Sequence, residues 1–312
     1  MGEKIRNILY YIFASIWYLI SLLPFKVLYF ISDLLYFPLY YVIRYRRKLV
    51  RKNLIDSFPE KSEDDIIKIE RRFYSFFCDY IVETIKLFSI SEKNIKERMV
   101  FKGIDEIEKS MQDGNSCFLY LGHYCNWEWI TSFPLYVQGN ILCGQVYHVL
   151  HSKIMDRLFY YLRGRFNAIS IPMGSILRRI AENRSIKKQM IIGFISDQAP
   201  FWNNIHYWTN FLNHDTPVFT GTERIAKRTG FSIYYADIKR VKRGYYICEF
   251  KKLTDSPKEY PDYEITEMYM RALENTIICA PEYWLWTHNR WKRTREEYNE
   301  RLDETTNRVR LI

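Results

Sequence analysis

The chain has 312 residues, enough for one large domain or two small ones with a real apolar core. Apolar residues make up 48% and aromatics 17%, which excludes a disordered chain. The net charge of +10 excludes nothing by itself, but it favours anionic partners: nucleic acid, an anionic membrane face or phosphorylated substrates.

The first predicted element is apolar. Between Arg6 and Lys26 stand 19 uncharged residues, NILYYIFASIWYLISLLPF. As a helix this run extends about 28 Å, close to a bilayer core of roughly 30 Å. Its Tyr and Trp content suits an interface better than a bilayer centre. The next run, KVLYFISDLLYFPLYYVI, carries Lys26, Asp33 and Pro38 and reads as an interfacial, re-entrant or packed helix. Six cations follow it (Arg44, Arg46, Arg47, Lys48, Arg51 and Lys52) and two precede the apolar region, so the C-terminal side is expected to be cytoplasmic. No small-residue cleavage site follows, which argues against a removable signal peptide. The alternative is an apolar helical hairpin packed within a soluble fold. The expected division is a membrane-associated region over 1–43 and a catalytic domain over 44–312.

Ser62 followed by Asp64 and Asp65 predicts the start of a helix over 62–91. SCFLYLG predicts a buried strand after Gly114. NILCGQVY (140–147) is a second strand, 153–166 a helix, and QMIIGFISD (189–197) a third strand. A helix over 217–230 closes at Gly230 with cations in its last turn. FSIYYADIKRV and YYICEFKKL are strands joined by a turn at Arg243-Gly244, and 264–281 is a helix stopped by Pro281. The tail beyond Trp291 is expected to fray. Strands alternating with helices imply an α/β fold. The six scattered cysteines, several in apolar runs, read as reduced and mostly buried.

The stretch LGHYCNWEW (121–129) puts His123 and Glu128 five residues apart beside a glycine. Five residues turn a helix through about 140°, and an odd spacing puts strand residues on opposite faces. The two side chains therefore meet only on a bend. The strand before them ends at a polar loop, where open α/β sheets place ligands. Asn126 can cap a following helix with Glu128 in its first turn. Glu128 can then accept from one imidazole nitrogen and leave the other as a base for a hydroxyl that attacks an acyl carbonyl. A structural histidine among aromatics is the alternative.

Asp197 and Gln198, in FISDQAP, end another buried strand and belong at the same sheet edge as His123. An Asp turn before Pro200 is the plainer reading. Arg163 and Arg165, flanking Gly164, have the chemistry to hold phosphate bidentately or to be solvated charges at a helix end. Gly221 and Thr222 near a helix start can offer N–H groups to an anion, or mark an ordinary helix entry. PEYWLWTHNRWKR interleaves aromatics and cations, suited to stacking on bases, to a membrane interface or to docking on the core. No HExxH, Walker loop, GxGxxG, GxSxG or metal-ligand cluster occurs, and no metal is expected.

GHYCNWE resembles the H-x4-D/E motif of glycerolipid acyltransferases. It is most similar to the form GHxGNWE of the bacterial lipid A biosynthesis acyltransferases, the late or secondary enzymes of lauroyl/myristoyl type. RKNLIDSFPE, GRF, SDQAP, FTGTERIAKRTG and PEYWLWTHNRWK stand in that family's order over nearly the whole chain. The resemblance implies a glycerolipid-acyltransferase-like α/β sheet flanked by helices and an anchor in the bacterial inner membrane, with the catalytic domain on the cytoplasmic side. It implies acyl–acyl carrier protein as donor, no cofactor, and a hydroxyl of an anionic phosphorylated glucosamine lipid as acceptor. By position, His123 matches the catalytic base and Glu128 its orienting partner. Asn126, Arg163, Arg165, Asp197, Gln198 and Thr222 are the expected substrate-binding residues.

Two departures stand out. Cys125 replaces the usual glycine, and YWTNFLN replaces a V-x-F-F-G-like stretch in the acceptor region. The second leaves room for another membrane lipid as acceptor: a lysophospholipid, an aminolipid or another glycolipid. A Cys125 nucleophile with His123 as its base is a further alternative. A nucleic-acid binder fits the charge but not the apolar N-terminus, and no nucleic-acid partner is expected.

Overall fold

The computed structural model describes residues 3–303 and 308–310. Helices α1 (Glu3–Ser21) and α2 (Phe25–Phe37) open the chain, and a wide helical turn over Pro38–Val42 follows. The uncharged 19-residue run is thus broken before it ends. Pro24 caps α2 without donating an N–H, and the axes of the two helical stretches differ by 113°. No single helix among the described residues is long and apolar enough to cross a membrane, although the bent pair together has the length and composition. Both helices pack on α4 (Glu63–Lys86), which follows α3 (Arg47–Ser57). As expected, α4 begins at Ser62, whose hydroxyl accepts the Asp65 N–H, with three acids in the first turn.

After α5 (Glu92–Arg98) come β1 (Met99–Lys102), α6 (Ile104–Ser110) and β2 (Cys117–Leu121). The expected elements appear next as β3 (Leu142–Tyr147), α7 (Lys153–Gly164) and β5 (Met190–Ile195), and between α7 and β5 stand a strand and a helix that the sequence did not announce, β4 (Ile169–Pro172) and α8 (Ile176–Ser185). A small hairpin, β6 (Trp208–Phe211) and β7 (His214–Pro217), precedes α9 (Gly221–Thr229). Gly230 closes α9 at φ +76° with its N–H on the Ala226 carbonyl. Strands β8 (Ser232–Lys242) and β9 (Tyr245–Thr254) turn at Gly244, and α10 (Glu264–Cys279) follows. The tail is not frayed up to Asp303. It forms α11 (Arg295–Arg301), and Arg295 pairs with Asp215 on β7.

The main sheet has the order β1-β9-β8-β2-β5-β3-β4. The five strands from β8 to β4 are parallel; β9 runs against β8, and β1 runs with β9. Every residue of β2 is buried because the strand is central and covered on both faces. Alternation assigns those faces. Tyr120 stacks on Tyr269 of α10, whereas Leu119 and Leu121 line a cavity on the opposite side. Five of the six cysteines are buried, Cys279 is exposed, and none forms a disulfide.

Candidate active site

Strands β2 and β5 are parallel neighbours with Leu121 opposite Ile195. The Ser196 N–H still reaches the Leu121 carbonyl (3.2 Å), so the two chains leave the sheet together. Two residues beyond the paired positions stand His123 and Asp197. They meet because register and offset are equal.

The Asp197 carboxylate accepts the His123 backbone N–H through Oδ2 (2.7 Å) and lies against the ring Nδ1 through Oδ1 (2.6 Å). Trp284 Nε1–H also donates to Oδ2 (2.8 Å). Asp197 is 1% exposed. Burial raises its pKa, but the His123 charge, the His123 and Trp284 hydrogen bonds and the backbone N–H outweigh burial and bring it down to about 2. A carboxylate only accepts, so the network assigns the proton to Nδ1 and leaves Nε2 as the basic nitrogen. Gln198 Nε2 lies 3.3 Å from that nitrogen, and Trp127 presents its ring edge-on to the imidazole. Nearby His288 is pushed down to about 4 by burial, against the Asp197 charge and with help from neighbouring cations.

The bend is built from identifiable parts. A Cβ on Gly122 would sit 2.6 Å from Leu273 Cδ1 on α10, so any larger residue there would have to push the Leu273 side chain aside. Cys125 adopts φ +50°, a left-handed conformation that explains the usual glycine there. Its thiol is fully buried, pushed far above the ordinary range by burial, and does not line the cavity. The backbone of the bend is zipped to the C-terminal segment, with Cys125 N–H on Tyr283 O and Leu285 N–H on His123 O. The segment PEYWLW is therefore a docking element that delivers Trp284 to Asp197.

The expected pairing of Glu128 with His123 is corrected. Asn126 does cap the next turn, a 3-10 helix over Trp127–Leu135, by accepting the Trp129 N–H. Glu128 then faces α7, and both its oxygens are taken by Arg163, at 2.8 Å from Nε and 2.6 Å from Nη2. Burial lowers the Arg163 pKa, but the Glu128 charge more than restores it.

Other expected binding residues are also committed internally. Arg165 donates through Nη1 to the Leu87 and Ile90 carbonyls after α4 and does not reach the cavity. Asn126 is fully buried and donates to Glu83 (2.7 Å). Asp197 holds His123. Gln198 and Thr222 line the cavity with His123, Glu128 and Arg163. That cavity has a volume of about 760 Å³ and apolar walls from Leu119, Leu121, Ile130, Phe133, Ile176 and Ile191. It is a ligand-sized space with a base at one end. Among the described residues no group of three His, Cys, Asp or Glu is placed to hold a metal ion.

Residues 3–293 match the model of the family described as bacterial lipid A biosynthesis acyltransferase. The chain belongs to this family. It is 22% identical over 278 residues to the lipid A biosynthesis palmitoleoyltransferase of Escherichia coli (strain K12), covering 86% of each chain. The lipid A biosynthesis acyltransferase of Shigella flexneri matches with the same identity and coverage.

In this acyltransferase the contact of Asp197 with His123 is the feature that the motifs did not disclose. The signal was present in outline, since two buried strands each end in a polar residue at the same offset. What was missing was their adjacency and register. Glu83 was missed as well. It lies in the last turn of α4, where its carboxylate accepts from Tyr29, Asn126 and Tyr246 and its carbonyl accepts from Trp129.

Proposed function

We propose that this acyltransferase moves a fatty acyl chain from acyl–acyl carrier protein to a hydroxyl of a lipid A precursor, with His123 as general base and Asp197 as its orienting partner. The observation that carries the reading is the His123 Nδ1–Asp197 contact of 2.6 Å, which leaves Nε2 as the basic nitrogen of a residue lining the apolar cavity. His123 Nε2 removes the acceptor hydroxyl proton as the oxygen attacks the thioester carbonyl. The tetrahedral intermediate collapses with cleavage of the C–S bond. The imidazolium returns its proton to the departing thiolate, and the ester remains. Asp197, ionised throughout, stabilises the imidazolium and fixes the tautomer. The acyl chain occupies the apolar cavity.

Glu128 serves this chemistry at one remove, by holding Arg163 and with it the junction of the 3-10 turn and α7. The N-terminal helices support action at the cytoplasmic face of the inner membrane. Ile8, Leu19, Phe30, Leu34, Phe37, Val42 and Ile43 are exposed apolar side chains, and Arg44 and Lys48 follow them. Such a surface suits the headgroup region of an anionic bilayer.

The test is turnover of acyl–acyl carrier protein with a tetra-acylated lipid A precursor, wild type against His123→Ala, read by mass spectrometry. The expected product is one acyl chain heavier and absent in the variant. His123-dependent acylation of a different lipid would keep the mechanism and replace the acceptor. Acylation that does not depend on His123 would refute the assignment of the base.

A further inference from the structure

The cavity that holds His123 is electrostatically lopsided. Its ionisable lining, histidines aside, contains five cations and one carboxylate, and that carboxylate, Glu128, is spent on Arg163. The remaining cations are Arg224, Arg228, Lys292 and Arg293. Three of them, Arg224, Arg228 and Lys292, are exposed to solvent while lining the cavity, which places them at its rim. None of the four makes an ion pair with a described carboxylate. By contrast, the cations nearest the buried acids of α4 are paired: Arg47 and Arg51 with Glu70, and Arg240 and Arg243 with Asp79.

Helix α9 makes the contrast within a few residues. Lys227 pairs with Glu223 and Asp262. Glu223 itself is turned away from the rim and accepts the Tyr263 and Thr266 N–H groups. Arg224 and Arg228, one turn apart on the same helix, are left beside each other without an ion-pair partner among the described acids, an arrangement that costs stability in isolation. Arg293 lies over the rings of Phe201 and Trp202, and its Nε and Nη1 are shielded from solvent with no acceptor among the described residues. Lys292 is held below its ordinary pKa by burial and by the Arg293 and Arg46 charges. Four cations from two separate segments, α9 and the chain before α11, none within ion-pair distance of a described carboxylate, thus converge on one opening, with Glu297 the nearby acid whose charge acts on Arg293.

We propose that Arg224, Arg228, Lys292 and Arg293 form an anion seat at the rim of the cavity that takes a phosphate group of a substrate. The proposal deepens the acyl-transfer reading and rests on it. The phosphate belongs either to the acceptor lipid or to the phosphopantetheine arm of the donor, and both present the same chemistry to the seat.

The first measurement is binding, independent of turnover. Dihexanoyl phosphatidic acid, below its micelle concentration, is titrated calorimetrically against uncharged dihexanoyl glycerol. The proteins are wild type, Arg224→Gln/Arg228→Gln, Lys292→Gln/Arg293→Gln, and Arg178→Gln/Arg179→Gln, which removes two charges on α8 that do not line the cavity. The phosphatidate Kd is expected to rise tenfold or more in both seat variants, with glycerolipid binding unchanged and the α8 variant like wild type. No preference for phosphate in the wild type, or an unchanged preference in both seat variants, overturns the seat. The source is then read from kcat/KM with the lipid A precursor against its dephosphorylated form, and with acyl-phosphopantetheine against acyl-pantetheine. The pair whose discrimination collapses in the seat variants identifies the phosphate. Seat-dependent binding without turnover on any acceptor would sink the acyl-transfer reading and leave the anion seat standing.

Discussion

His123 and Asp197 are joined twice, once through the imidazole and once through the backbone of the same histidine. One carboxylate therefore sets both the position of the bend and the protonation of the ring. Asp197→Asn should keep the volume but present an amide to Nδ1, which favours the wrong tautomer. The expected result is a loss in kcat on the order of 10³-fold or more with KM little changed. Steady-state kinetics on the folded variant, verified by circular dichroism, makes the check. A kcat within tenfold of wild type would mean that Asp197 is not the orienting group.

Glu128 and Arg163 form a buried pair whose partners are needed together. Glu128→Leu alone leaves the Arg163 charge without its partner and should cost about 3 kcal/mol or more. Glu128→Leu/Arg163→Leu should recover most of that loss, because two apolar groups replace two charges. Urea denaturation of the two single variants and the double variant tests this. If Glu128 were the partner of His123, activity would stay at the level of the Glu128 single variant even after stability returned.

Cys125 stands in the left-handed region at φ +50° with a fully buried thiol. Cys125→Ala and Cys125→Gly remove the same sulfur, so the difference between them isolates the backbone. The glycine variant should be the more stable by about 1 kcal/mol, the penalty a Cβ meets in that conformation. Both should retain turnover, since the thiol does not line the cavity. Complete loss of turnover in both would restore a covalent cysteine mechanism.

Glu83 carries a pH dependence of stability. Burial raises its pKa to about 7, against the hydrogen bonds from Tyr246 and Asn126 that lower it. The native state thus holds a proton that the unfolded chain, with an ordinary glutamate pKa of about 4.3, has released. Stability contributed by this group is present below the unfolded value and declines as pH rises from there to about 7, by about 4 kcal/mol in total. Glu83→Gln should flatten that slope. Denaturation midpoints between pH 4.5 and 8 read it, and an unchanged slope in the variant would assign the effect to another group.

Much of this protein was legible from its residues alone. The helix over 63–86 was announced by Ser62 and its acids, since a cap and a local dipole act within one turn. The strands CFLYL and MIIGFI were legible because a strand buried on both faces has to be apolar throughout. Gly230 and Gly244 marked their turns through a backbone geometry that favours glycine. The N-terminal run suggests one continuous helix, but it breaks before Pro24, and the second helix leaves at 113° to the first while both pack on α4.

The site was legible as a place but not as a set of contacts. His123, Glu128, Asp197 and Gln198 all border the cavity or its base, as strand ends in an α/β sheet do. Which acid serves the histidine was decided by register. Glu128 is five residues away in sequence and turns toward α7, whereas Asp197 is 74 residues away and arrives opposite because β2 and β5 are adjacent, parallel and paired at Leu121 and Ile195. Local chemistry is written in neighbouring residues because backbone geometry and capping act over one turn. The pairing of a histidine with its carboxylate across two strands depends on which strands lie side by side, and only the tertiary structure decides that.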